Sequence, residues 1–213
     1  MRKHTFTNGE FYHIFNRGVE KRTIFLDRND FERFLESMEI FNDVLPVGSI
    51  YEHISTKNKL GGRTPKSLVN IICYCLNPNH YHFILEQVVD GGVSEFMKRL
   101  AGGYTSYFNI KHKRNGVLFQ GKFKSVHIQS NEHLLHASAY VNLNNRVHQL
   151  QRAQVRSSWG EYEAKQGGTL CKHNNILDQF SSFSEYKEFA ESSLQDILER
   201  KELVRDLDSI LLE

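Results

Sequence analysis

The 213-residue chain predicts an α+β fold, and three observations carry that reading. Short runs rich in aromatic and β-branched residues recur at four places, as strands require. Longer stretches with apolar residues three and four apart lie among them, the spacing of helices. Turn chemistry joins the second and third runs directly, so those two form a hairpin and the other connections carry helices.

Taken in order, Glu10–Asn16 alternates weakly and reads as a strand ended by Arg17-Gly18. Asn29 followed by Glu32 resembles a capping box, and Phe31, Phe34, Leu35, Met38 and Phe41 continue as a helix to about Asn42. Pro46–Lys66, with Gly61, Gly62 and Pro65, reads as a long polar loop. Val69–Leu76 is a buried strand, Asn77-Pro78-Asn79 a turn, and His80–Val88 the returning strand. Ser94 can cap a helix whose apolar face is Phe96, Met97, Leu100, Tyr104, Tyr107 and Phe108. Phe123–Ile128 is a fourth strand, and Ser130 caps a further helix running through Tyr140 to Asn144. The order β-α-β-β-α-β-α is that of a ferredoxin-like antiparallel sheet with helices on one face, plus an extra helix. An irregular stretch from Arg152 and a final amphipathic helix, Phe189–Leu212, complete the chain. This divides it into a main domain, 1–150, and an extension, 151–213, packed upon it.

Composition bounds the function. Apolar residues make up 39% and charged residues 24%, enough for a folded core. The longest apolar run, Ile71–Leu76, is far shorter than the ~20 residues of a membrane helix, so no membrane partner is expected. Three cysteines, Cys73, Cys75 and Cys171, make no disulfide framework and point to a reducing cytoplasm. The net charge of +2 is unevenly spread: Phe96–Ile128 has no acidic residue but carries Lys98, Arg99, Lys111, Lys113, Arg114, Lys122 and Lys124. Lysine and arginine neutralise phosphates and aromatic rings stack on unpaired bases, so this segment suits single-stranded nucleic acid. Arg17 is a further candidate. The run Gly116–Lys122 nearly matches a phosphate-binding loop, but Phe123 follows instead of Ser or Thr and a strand follows instead of a helix.

Two constellations carry chemistry. His80 and His82 are two apart on a strand, so both imidazoles point to one face about 6.6 Å apart and can converge on an ion. Imidazole suits Mn, Zn, Fe or Cu, and Mg less readily. Cys73 and Cys75 across the hairpin offer a rival, a Cys₂His₂ zinc site, if a two-residue turn aligns Cys75 with His82; small apolar strand packing is their other reading. Tyr140 and Asn144 are four apart on a helix, with Cβ atoms about 5–6 Å apart. Asn144 offers a carbonyl oxygen to a hard cation, and Tyr140 a hydroxyl that becomes nucleophilic when a base or ion lowers its pKa. Packing is the alternative for Tyr140, one of nine tyrosines. His136, one turn earlier, is either a proton acceptor or a solvated side chain.

Three segments together resemble a known family. They are Tyr12–Gly18 with Ile24-Phe25; Leu76-Asn77-Pro78-Asn79-His80-Tyr81-His82-Phe83; and Asn115–Ser125 followed by Tyr140-Val141-Asn142-Leu143-Asn144. In this order they are similar to single-tyrosine HUH transposases, in the branch of REP-associated tyrosine transposases, over roughly residues 10–145. A weaker echo runs from Ser157 to Tyr162 and on to Phe180. The resemblance implies a divalent ion, Mg or Mn, held by His80, His82 and Asn144, with Tyr140 as the nucleophile. It implies a metal-dependent endonuclease and strand transferase on single-stranded DNA, beside a hairpin, acting through a 5′-phosphotyrosine. Cytoplasmic, nucleoid-associated action as a monomer or homodimer goes with it. Two departures stand out: Asn77 where the family usually has methionine, and Asn145 where it usually has proline. The alternative of another class is a non-catalytic single-stranded nucleic-acid-binding protein derived from such a transposase.

Overall fold

In the computed structural model, residues 5–48, 50, 66–164 and 170–210 are described, with side chains as far as 202. The polar loop expected over 46–66 lies mostly outside them.

β1 (Phe11–Arg17) leads through a one-turn 3₁₀ helix, Val19–Lys21, to α1 (Arg28–Ile40). A Cβ on Gly18 would stand 2.2 Å from the Arg22 carbonyl oxygen, so the chain can turn this tightly after β1 only with glycine. The cap of α1 is Asp27, not Asn29. Asp27 has extended dihedrals, and its carboxylate accepts the Asp30 amide at 3.0 Å. β2 (Val69–Asn77) and β3 (His80–Gln87) form the expected hairpin, with Asn77 opposite His80 across a two-residue turn. α2 (Gly92–Lys111) is capped by Gly91 at a φ of 70°, which leaves Ser94 inside the first turn. β4 (Lys124–Ile128) precedes α3 (Asn131–Asn142), where Ser130 accepts the His133 amide at 3.1 Å as its sequence position predicts.

The strands make one antiparallel sheet in the order β4-β1-β3-β2-β5, a ferredoxin-like arrangement with one strand added. The addition is β5 (Arg156–Ser157), which pairs with Cys75 and Leu76 at the sheet edge. Two residues cannot display a period of two, which is why the sequence reads as irregular there. A short helix, α4 (Asn144–Val147), precedes β5, and beyond it lie α5 (Trp159–Ala164), α6 (Asn174–Leu177) and α7 (Phe183–Ile210); α7 begins six residues before the expected start.

The two faces of the sheet are covered by different helices. α1 and α2 cover one, burying Phe25, Phe34, Tyr81, Phe83, Phe96 and Tyr104. α3 and α7 cover the other, with Ile72, Cys73, Cys75, Ile84, Val141 and Tyr186. The C-terminal segment is tied into this second face by side chains. The Tyr162 hydroxyl donates to the Ile72 carbonyl at 3.0 Å, and Asn142 on α3 donates to the Tyr186 hydroxyl at 2.9 Å. A bulge between Ile71 and Cys73 shifts the phase of β2. Val69 and Ile71 face α1 and α2, whereas Cys73, Cys75 and Asn77 face α3.

Among the described residues no helix is long and apolar enough to cross a membrane.

Candidate active site

The histidine face is assembled by register. On β1 the odd positions Phe11, His13, Phe15 and Arg17 share a side, and antiparallel pairing sets His13 and Phe15 beside His82. His80 and His82 point to this same side, toward α3, with ring centroids 5.3 Å apart. Phe15 stacks on His82 at 5.6 Å, and His148 meets His80 edge-on at 4.7 Å. A cleft of about 510 Å³ opens here, lined by Arg17, His80, His82, Gln120, Lys124 and His148 among others.

α3 delivers the other half. It ends at Asn142, two residues before the expected end, and a short helix α4 (Asn144–Val147) follows directly. The break does not separate the pair. The ring of Tyr140 stands edge-on to His82 at 5.5 Å and to His13 at 5.8 Å. Asn144 Oδ1 lies 3.3 Å from His80 Nε2. Residues 64 positions apart in sequence thus meet, as the family resemblance implies.

Two partners orient the imidazoles, and sequence reasoning missed both. Asn79 donates through Nδ2 to the Lys21 carbonyl at 3.2 Å, which leaves its Oδ1 to accept from His80 Nδ1 at 2.6 Å. The proton of neutral His80 is therefore on Nδ1, and the Nε2 lone pair faces Asn144. His13 Nε2 lies 2.8 Å from His82 Nδ1, so one proton is shared between two rings. The signal for His13 was present: it occupies an inward position of β1 facing the strand that bears the histidine pair. Its significance depended on knowing that β1 and β3 are neighbours.

Burial is the dominant electrostatic influence. It lowers the pKa of His13 to about 4, aided by His133, and that of His80 to about 4, aided by His148. His82 is lowered well below 6.5 by burial and by the neighbouring His13, His80 and His148. All three rings are neutral near pH 7, the form in which imidazole binds metals. Burial also raises the Tyr140 phenol, while the Asn144 carboxamide beside it pulls the other way.

Among the described residues no three His, Cys, Asp or Glu side chains gather as metal ligands. Cys75 does pair with His82 across the two-residue turn, but burial pushes its thiol up to about 12 and raises Cys73 as well. Neither is a ready thiolate, so the cysteines serve as packing. His80, His82 and Asn144 do fit a hard divalent cation. Two neutral imidazoles come with the Asn144 amide oxygen, 3.3 Å from His80 Nε2, a set of lone pairs that a divalent cation can take.

The basic candidates disperse. Arg17, hydrogen-bonded to Gln120, and Lys124 line the histidine cleft. Lys98 and Lys122 line a second cleft beyond Asn16, between α2 and the segment before β4. Lys111 pairs with Asp27 and the fully buried Asp30, and Arg99 with Glu95 and the Asp43 and Leu45 carbonyls. Arg114 bonds Asn109 and the Val117 carbonyl, and Lys113 is exposed at a φ of 49°. The acid-free stretch is thus balanced partly by acids from α1 and the start of α2. His136 turns to α7, against Ser193 and Phe189.

The fold and site together define a class: a ferredoxin-like sheet on which a histidine pair and a helix-borne tyrosine and asparagine converge. Residues 53–144 match the model of the IS200-like transposase family, a segment that holds the histidine strand and the tyrosine helix and ends on Asn144. The family resemblance read from the sequence is borne out there. A solved REP-associated tyrosine transposase bound to a REP hairpin is 13% identical to the chain, with a TM-score of 0.49. The match covers 78% of this chain and 86% of that one. No curated protein matches the chain.

Proposed function

We propose that the protein is a metal-dependent, transposase-like endonuclease and strand transferase acting on single-stranded DNA beside a hairpin. The observation that carries this is the convergence of Tyr140 and Asn144, from α3 and α4, on His80 and His82 of β3. In this reading residues 1–150 form the catalytic unit and 151–213 cover its second face.

The ion, Mg or Mn, would be held by His80, His82 and Asn144, with Asn79 and His13 orienting the imidazoles. Bound there, it supplies positive charge to a non-bridging oxygen of the scissile phosphate. Tyr140 attacks phosphorus in line: its oxygen forms the new bond and gives up its proton to solvent, the bond to the 3′ oxygen breaks, and that oxygen takes up a proton to leave as a 3′ hydroxyl. The 5′-phosphotyrosine conserves the ester bond, so a second 3′ hydroxyl reverses the step and joins strands without ATP. Burial raises the phenol's pKa further above its ordinary value, so Tyr140 enters the reaction as the neutral phenol. Arg17 and Lys124, at the mouth of the cleft, hold the flanking phosphates.

The test is a denaturing gel after incubation with hairpin-bearing single-stranded oligonucleotides and Mn²⁺. A covalent adduct that disappears in Tyr140→Phe supports the reading. No adduct with retained DNA binding replaces it with the binding-module alternative.

A further inference from the structure

Asn77 occupies a position that the family resemblance leaves unexplained. Its side chain is fully buried on the histidine face, brought there by the hairpin that sets it opposite His80. Its Nδ2 lies 2.8 Å from His80 Nε2 and 2.7 Å from Asn144 Oδ1, while those two atoms are 3.3 Å apart. One amide group therefore sits where the two lone pairs converge, and its two N–H bonds serve both.

The size of this triangle is informative. Ligand atoms about 2.1 Å from an octahedral cation are about 3.0 Å from their neighbours. Edges of 2.7, 2.8 and 3.3 Å are hydrogen-bond lengths, and they also leave the three atoms close enough together to face one cation. A carboxamide presents nitrogen or oxygen at nearly the same point, the two exchanging by a half-turn about χ2. We propose that Asn77 is a switchable ligand: without a cation its NH₂ group bridges His80 and Asn144, and on binding the amide turns to offer Oδ1 as a further ligand.

One feature favours the turn. The contact that Asn77 Oδ1 makes in the bridging state is only a thiol donor, Cys75 Sγ at 3.5 Å, so little is lost when it leaves. With two amide oxygens beside two imidazoles, the site is richer in oxygen than the histidine pair alone suggests, and that favours Mn²⁺ or Mg²⁺ over Zn²⁺.

This inference rests on the ion site proposed above, and the experiment separates the two. Mn²⁺ binding is measured on the full chain by electron paramagnetic resonance, and inner-sphere water is counted by proton relaxation, for wild type, His80→Ala, Asn77→Leu and Asn77→Asp. Circular dichroism checks folding. Mn²⁺ bound by wild type and lost in His80→Ala establishes the site. Asn77→Leu is then expected to bind Mn²⁺ about tenfold or more weakly, with one more coordinated water. Asn77→Asp, which keeps an oxygen, is expected to bind more tightly with the wild-type water count, and it decides the matter if the leucine variant fails to fold. Equal or tighter binding by Asn77→Leu, or an added water in Asn77→Asp, would overturn the ligand role. Wild type that binds no Mn²⁺ through His80 overturns the ion site and this inference with it.

Discussion

The two faces of the sheet use the same strands for opposite ends. On the α1–α2 face, aromatic rings fill the space: Phe34 packs against Tyr81, Phe83 and Tyr104, all nearly or fully buried. The buried Asp30 there is fully engaged, accepting from the Leu26 amide and Tyr107 and pairing with Lys111. On the α3–α7 face the buried residues include Asn77, His82, Asn142 and Asn144; each face has a buried polar atom without a partner, the Tyr81 hydroxyl on the first and the Asn144 amide nitrogen on the second. Burying polar groups costs free energy that an apolar face would not incur. The comparison teaches that both faces bury an apolar cluster, but the first is filled mainly by rings while the second also gathers amides and imidazoles around one cleft.

Substitutions can break that division. The largest effect is expected from Tyr140→Phe, which removes one hydroxyl: the covalent adduct should vanish on the gel while the melting temperature holds within a few degrees. A matching loss of stability would mean that the phenol is structural. Next, Phe34→Ala on the opposite face should cost about 3–5 kcal/mol in urea unfolding, through lost contacts and a cavity. Full adduct formation by the remaining folded fraction would confirm that this face acts only through stability.

The pH response sharpens the comparison. His13 has a pKa of about 4 in the fold and about 6.5 when unfolded, so between these values the unfolded chain holds more protons. Stability should therefore be complete above about pH 6.5 and fall as the pH drops toward 4, with His80 adding to the slope. His13→Gln removes one titrating ring, and melting curves should then show a shallower decline; an unchanged slope would place the acid sensitivity elsewhere. The smallest effects are expected at the cleft mouth. Arg17→Ala and Lys124→Ala should each weaken oligonucleotide binding modestly and reduce the salt slope by about 0.7. A slope that neither variant alters would move the DNA path to the cleft bearing Lys98 and Lys122.

Much of this was legible in the chain. Four strands, the hairpin and the Ser130 cap follow from period, turn residues and spacing, all local quantities, whereas the partnership of the histidine pair with Tyr140 and Asn144 was legible only through the family resemblance. The misreadings were local too, but competitive. Asp27 and Asn29 are both competent caps for α1, and the choice rests on which backbone is extended where the helix begins. At α2 the left-handed turn at Gly91 starts the helix before Ser94 can cap it. The break after Asn142 leaves Asn144 at the head of its own short helix.

What the residue order determined by itself was which side chains each element carries and which of them share a side, because strand and helix periods are properties of the backbone. What only the tertiary structure decided was which sides meet. β1 beside β3 makes His13 the partner of His82, and the turn register sets the Asn77 amide between His80 and Asn144. The acids that occupy Lys111 and Arg99 likewise come from outside the segment that looked purely basic. Such pairings depend on strand order and packing across tens of residues, where the sequence supplies complementary surfaces and the fold selects which of them touch.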